Sequence, residues 1–229
     1  MPLAGNAVMV NWSDVAAADR PAFYAWHNRE HMVGAMELGG FLRGRRYIAV
    51  DADRDFFNCY EVDSLDALVG PEYRTKVNNP SELTLRTNKV LRNSVRGLAH
   101  VKVSLGIGVG GFALTLRLDA KPGRADDLHR YLAEVALLKV VGISEIVGAH
   151  YFVSDMPAST YVPLERQGRT TVVPPWIVML EATAVEPLNA VCDAGLSNDT
   201  LVRHGALESI ARGTYRHEIS IAKIPHWRD

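Results

Sequence analysis

One pattern of strands and helices is written twice along this chain, and that duplication restricts the available folds more than any other feature. Asn6 to Trp12 (NAVMVNW) is a β-rich run, and Asp19 to Leu38 carries helix formers behind an Asp-Arg-Pro start, stopped by Gly39-Gly40. The runs FLRGRRYIAV (41–50) and FFNCYEV (56–62) predict a hairpin around the polar turn DADRD. Ser64 precedes a helix from Leu65, a second helical stretch spans Ser81 to Leu91, and GLAHVKVSL (97–105) alternates like a strand. The order is βαββαβ. After Gly106 it recurs: a strand in GGFALTLRLDA, a helix from Arg124 to Val141, strands in EIVGAHYFVS and WIVMLEA, a helical stretch from Val185 to Leu207 and a last strand, GTYRHEISIA.

This order predicts an α+β fold of two tandem ferredoxin-like repeats, residues 1–105 and 106–229, with antiparallel sheets packed face to face and helices outside. Two local overlays support the repeat: Gly44 and Tyr47 on Gly148 and Tyr151, with Arg46 on His150, at a shift of 104, and EVDSLDAL on EATAVEPL at a shift of 120. The difference is an insertion in the second repeat, the Pro- and Gly-containing loop 155–175, long enough to be a flap or a partner contact. GIGVGG (106–111) lacks the G-x-G-x-x-G spacing and joins two strands, so it reads as the linker between repeats. A four-stranded sheet with helices on one face needs cover on the other. Either the two repeats cover each other within one chain, or each pairs with its counterpart in a homodimer.

Composition removes several function classes. With 25 basic and 26 acidic residues and a net charge of -1, the chain has no field to gather nucleic acid or an anionic membrane. No apolar run reaches the roughly 20 residues of a membrane-spanning helix. The start MPLAGNAVMV lacks a basic, apolar leader pattern, so a cytoplasmic location is expected. Cys59 and Cys192 lie in separate elements and read as reduced, buried apolar groups.

The stretch AFYAWHNREHMVGAMELGGFLRGRRYIAV holds Trp26, a Glu30-His31 pair, Gly40-Phe41, and Arg45, Arg46 and Tyr47 on a strand, followed later by PEYR (71–74). In these residues it resembles the dimeric α/β-barrel superfamily, in particular its EthD-like and stress-responsive branch. The resemblance covers residues 6 to 105; the second repeat matches in element order but lacks the Trp and Glu-His signature. The Pro that usually follows the helical His is replaced by Val33-Gly34. The resemblance implies the fold and a range of activities: cofactor-free oxygenases, lactone isomerases, polyketide cyclases and haem enzymes, along with proteins of no known activity.

His27 and His31 stand one helical turn apart with Glu30 beside them. Apolar residues fall on two sides of this helix, and a break near Gly34 would reconcile them. HNREH also fits the H-x-x-E-H pattern of zinc peptidases, though no third ligand is identifiable and no metal is expected. The expected catalytic residues are His31, as general base or acid toward a bound carbonyl compound, with Tyr47 polarising the carbonyl and His27 nearby. Asn11, Trp26, Arg46, Tyr60 and Tyr73 are expected to bind the substrate, a small apolar or aromatic molecule. Arg43, Arg45 and Arg46 could hold a carboxylate or phosphate, or pair with Asp51, Asp53 or Glu61. The expected activity is a cofactor-independent proton transfer or oxidation, of isomerase, cyclase or monooxygenase type. A non-catalytic ligand-binding module and a haem or metal enzyme, with His129, His150, His204 or His217 as ligand, stay open.

Overall fold

The computed structural model describes residues 3–191 and 195–223, so Cys192 and part of the helical stretch 185–207 lie outside the described residues. Strand β1 (Ala7–Asp14) leads into a helix over residues 20–36, then the hairpin β2 (Phe41–Ala52) and β3 (Phe56–Val62), helices Pro71–Asn78 and Glu82–Asn88, and β4 (Arg92–Gly106). The second half holds β5 (Phe112–Leu118), a helix over 125–140, β6 (Ile146–Ser154), the two-residue β7 (Thr171–Val172), β8 (Trp176–Ala182), helices Glu186–Ala190 and Asn198–Arg203, and β9 (Ala211–Ala222). No helix among the described residues is long and apolar enough to cross a membrane.

All strands but β7 form a closed antiparallel barrel in the order β1-β3-β2-β9-β5-β8-β6-β4, with β4 pairing back to β1. The first half contributes the run β4-β1-β3-β2 and the second β9-β5-β8-β6. The ladders β2–β9 and β4–β6 join the halves edge to edge. The barrel therefore closes inside one chain, and pairing of each sheet with another chain is not the arrangement found. Closure also satisfies every long strand on both sides, which removes the exposed edges that invite aggregation.

Side-chain alternation divides each strand between two cores. On β3, Phe57 and Cys59 face the barrel interior with Val8, Val10, Trp12, Phe152, Ile177 and Met179, while Tyr60 and Val62 face the helices outside. Burial pushes the Cys59 thiol up to about 12, so it is an inert packing group.

One part of the interior is charged. Arg45, fully buried, reaches Glu61 at 2.8 Å and Glu181, on the opposite half, at 2.5 Å. The Tyr47 hydroxyl accepts from Arg45 at 2.8 Å, and His150 lies 3.2 Å from the second Glu181 oxygen. Burial would raise the Glu181 carboxyl, but Arg45 and His150 hold it below the usual carboxylate value.

The ladders correct one overlay. Arg45 lies opposite Cys59 and Gly44 opposite Tyr60 in the first half, and His150 opposite Met179 and Ala149 opposite Leu180 in the second. With Glu61 and Glu181 in matching places, the hairpins correspond at a shift of 105, and the interior counterpart of His150 is Arg45. At a shift of 104 every side chain would change face, because the strand period is two.

Removing one member of a buried ion pair strands the other charge. Glu181→Leu should cost about 3 kcal/mol or more of unfolding free energy, read by urea denaturation.

Candidate functional site

The helix over 20–36 does not break at Gly34. It widens into a π turn at His27–His31, between Arg20–Trp26 and Met32–Met36. The extra residue in that turn shifts the phase of the helix, so Trp26, His27, His31 and Ala35 all border one cavity against the sheet. The helix is fastened by Glu30, whose carboxylate accepts from the hydroxyls of Ser81 (2.5 Å) and Thr84 (2.9 Å), while the Trp26 indole donates to Thr84 at 2.9 Å.

The cavity measures about 350 Å³. Asn11, Asn58 and Tyr60 line it from the outer face of β1 and β3, Arg96 from β4, and Tyr73 from the helix Pro71–Asn78. Residues 164–171 of the second half close it as a strap, contributing Glu165, Arg166, Arg169 and Thr171. The strap is pinned to the first half: Asn88 donates to the Glu165 carbonyl at 2.7 Å, Arg169 donates to Ser94 at 2.6 Å, and β7 runs parallel to the start of β4. The loop 155–175 is thus a cover for the first-half cavity.

The hydrogen bonds around His27 define the proton positions. Arg46, always a donor, reaches His27 Nδ1 at 3.0 Å, so Nδ1 accepts and the ring proton sits on Nε2. Nε2 lies 3.3 Å from the Tyr60 hydroxyl, whose oxygen then accepts, leaving its own proton free for the cavity. Burial raises the Tyr60 phenol, which stays a donor. His27 is held far below the usual imidazole value by burial, with His31 and Arg46 adding repulsion. His31 stacks on Trp26 with ring centroids 4.4 Å apart. Burial, and then the Lys76 charge, lower its pKa to about 4, so at neutral pH it is an unprotonated base.

Of the sequence-predicted residues, His27, His31, Asn11, Trp26, Tyr60 and Tyr73 meet at this cavity, and two do not. Tyr47 points into the barrel interior and bonds Arg45, because it shares the inward face of β2. Arg46 stands behind His27, bonded to Asn28 at 2.7 Å and Glu218 at 2.9 Å. Arg43 and Arg45 pair with Glu61. Sequence reading missed Asn58, Arg96, Glu165, Arg166 and Arg169. Arg96 was lost because the strand was expected to start at Gly97, and the strap carries no periodicity to place its side chains.

The zinc pattern does not assemble, since both ring nitrogens of His27 are engaged, and no cluster of three His, Cys, Asp or Glu side chains is placed for a metal among the described residues. Among the described residues His31 is the cavity histidine with no hydrogen-bonded protein partner, and so the one that could ligate a haem iron. The second half repeats the π turn at Leu132–Ala136, but Leu128, Leu132, Leu137, Val140, Leu188 and Leu196 pack solidly there.

No protein-family model matches this sequence, and no curated protein matches it. In structure the chain is similar to an anthrone oxidase-like protein, at a TM-score of 0.66 and 10% identity over 97% of this chain and 96% of that one. It is also similar to a proposed monooxygenase of Lactobacillus acidophilus (TM-score 0.59, 11% identity, 96% and 97% covered). A heme-binding protein of Thermus thermophilus follows (TM-score 0.55, 12% identity, 94% and 92% covered). The fold is that of the dimeric α/β-barrel proteins.

His27 and His31 are neutral when folded and bind protons more readily when unfolded. Stability from them is complete above the ordinary histidine value near 6.5 and is lost as pH falls below it toward their lowered folded values. Replacing both with Gln should flatten the acid limb of a Tm-against-pH curve.

Proposed function

We propose that the cavity is the active site of a monooxygenase-type enzyme for a small aromatic or apolar carbonyl compound. His31 removes an acidic C–H proton, and Tyr60 donates a hydrogen bond to the oxygen that becomes anionic. The substrate anion then passes electrons to dioxygen: a CH2 carbon becomes a carbonyl, one oxygen atom stays in the product and the other leaves as water. The observation that carries this reading is the pair formed by His31 and Tyr60, with ring centroids 6.1 Å apart on one cavity, one a neutral base and the other a phenol whose proton is uncommitted. The likeness in structure to the anthrone oxidase-like protein and to the proposed monooxygenase supports the choice of oxidation over isomerisation or cyclisation, which share the first proton transfer. Trp26 and Tyr73 hold the apolar body, Asn11 and Asn58 offer their amides to its polar groups, and Arg46 acts by fixing the His27 tautomer.

In the same reading the halves 1–105 and 106–229 are tandem ferredoxin-like units, the second having lost its site. The Trp26, Glu30-His31 and Arg45-Arg46-Tyr47 pattern supports the EthD-like branch. No cofactor is assigned a role. Haem at stoichiometric amount, seen as a Soret band of the purified protein, would replace this mechanism with one centred on His31 as a ligand.

Oxygen uptake with anthrone as test compound is the direct assay. His31→Ala should abolish turnover with the fold intact, and Tyr60→Phe should lower kcat by roughly 100-fold. The base works deprotonated, so kcat/KM should stay level across neutral pH and fall only as pH approaches about 4. Unchanged uptake by His31→Ala overturns the mechanism.

A further inference from the structure

Three arginines meet at the cavity without a matching set of acceptors. Arg96 on β4 is 5% exposed and Arg166 on the strap 6%. Arg96 donates to the Tyr73 hydroxyl at 2.8 Å through one terminal nitrogen, and its other terminal nitrogen, Nη1, is buried without a hydrogen-bond partner. Arg166 donates to the Tyr161 carbonyl, and Arg169 to Asn88 at 2.9 Å and Ser94 at 2.6 Å, yet the Nε of each is buried and unmatched. The one carboxylate set among them, Glu165, makes no ion pair within 4 Å with any of the three. Its carboxyl is raised, because burial outweighs their attraction. Burial and the mutual repulsion of the guanidinium groups bring Arg166 down to about 10 and lower Arg169 as well. With Lys76 and Glu30, which also line the cavity, four cations stand against two carboxylates, an excess of two positive charges.

Guanidinium groups with spare donors are matched best by a planar carboxylate, which accepts in pairs. We propose that the compound taken by this cavity is an aromatic carboxylate, its ring against Trp26 and Tyr60 and its carboxylate received by Arg96, Arg166 and Arg169. The carboxylate answers one unit of the excess charge. The second unit remains for the anion formed on proton removal, so the same cluster both selects the substrate and favours the ionised intermediate. This rests on reading the cavity as the active site, and deepens it by naming the substrate class.

The test is calorimetric titration of the full chain with 2-naphthoate, its neutral twin 2-naphthamide, and 2-naphthyl phosphate. The carboxylate should bind at least about ten-fold more tightly than the amide, as charge-assisted hydrogen bonds allow. Arg166→Gln and Arg169→Gln should each reduce that preference, with cooperative melting as the folding control. If a variant fails to fold, the comparison of ligands on the unaltered chain still decides. Equal binding of carboxylate and amide overturns the inference while leaving the aromatic cavity standing. Tighter binding of the phosphate overturns the carboxylate class. Failure of all three to bind removes the aromatic cavity itself, and the inference with it.

Discussion

A sheet of four strands with helices on one side has a second side that must leave water, and everything in this molecule follows from how that side is covered. The two half-sheets curve together and share ladders at both edges, β2–β9 and β4–β6, so the uncovered faces become one interior. Once closed, the interior is dry enough that Arg45 has to find its counter-charges inside, and it finds Glu61 from its own half and Glu181 from the other. That pairing ties the rotation of one half to the other. A slip of β2 by one residue against β3 and β9 would turn Arg45 toward the helices and bring Gly44 or Arg46 inward.

The same alternation sends catalytic candidates outward. With Arg45 and Tyr47 committed to the interior, Arg46 faces the helix and meets His27. With Cys59 and Glu61 inside, Asn58 and Tyr60 face the cavity. The polar site and the buried ion pairs are therefore two readings of one register. The π turn then supplies what a regular helix would not: His27 held from behind by Arg46 and His31 left open to the cavity.

Much of this was legible in the residues. FFNCYEV was bounded correctly as a strand, because its alternation is sharp and its flanks are turn-forming. The His27, His31, Trp26 and Tyr60 grouping followed from helical spacing and from a hairpin with clear ends. Tyr47 went astray because a strand offers two faces and its neighbours in sequence do not say which of them meets the helix. The loop 155–175 stood out as a candidate flap, but the side chains it brings to the cavity did not. Its side chains are positioned by tertiary hydrogen bonds from Asn88 and to Ser94, and such contacts leave no period in the sequence.

The strap is spliced between β6 and β8, two strands that hydrogen-bond directly to each other. Its ends are therefore held at a fixed separation by a ladder that does not depend on what lies between them, and lengthening or rewriting such a loop costs the scaffold little. Recognition and architecture are consequently carried by separable stretches of chain. What the cavity accepts can be retuned by exchanging a handful of residues around Glu165 and Arg169, in a segment donated by the other half, with the ladders of the barrel left as they are.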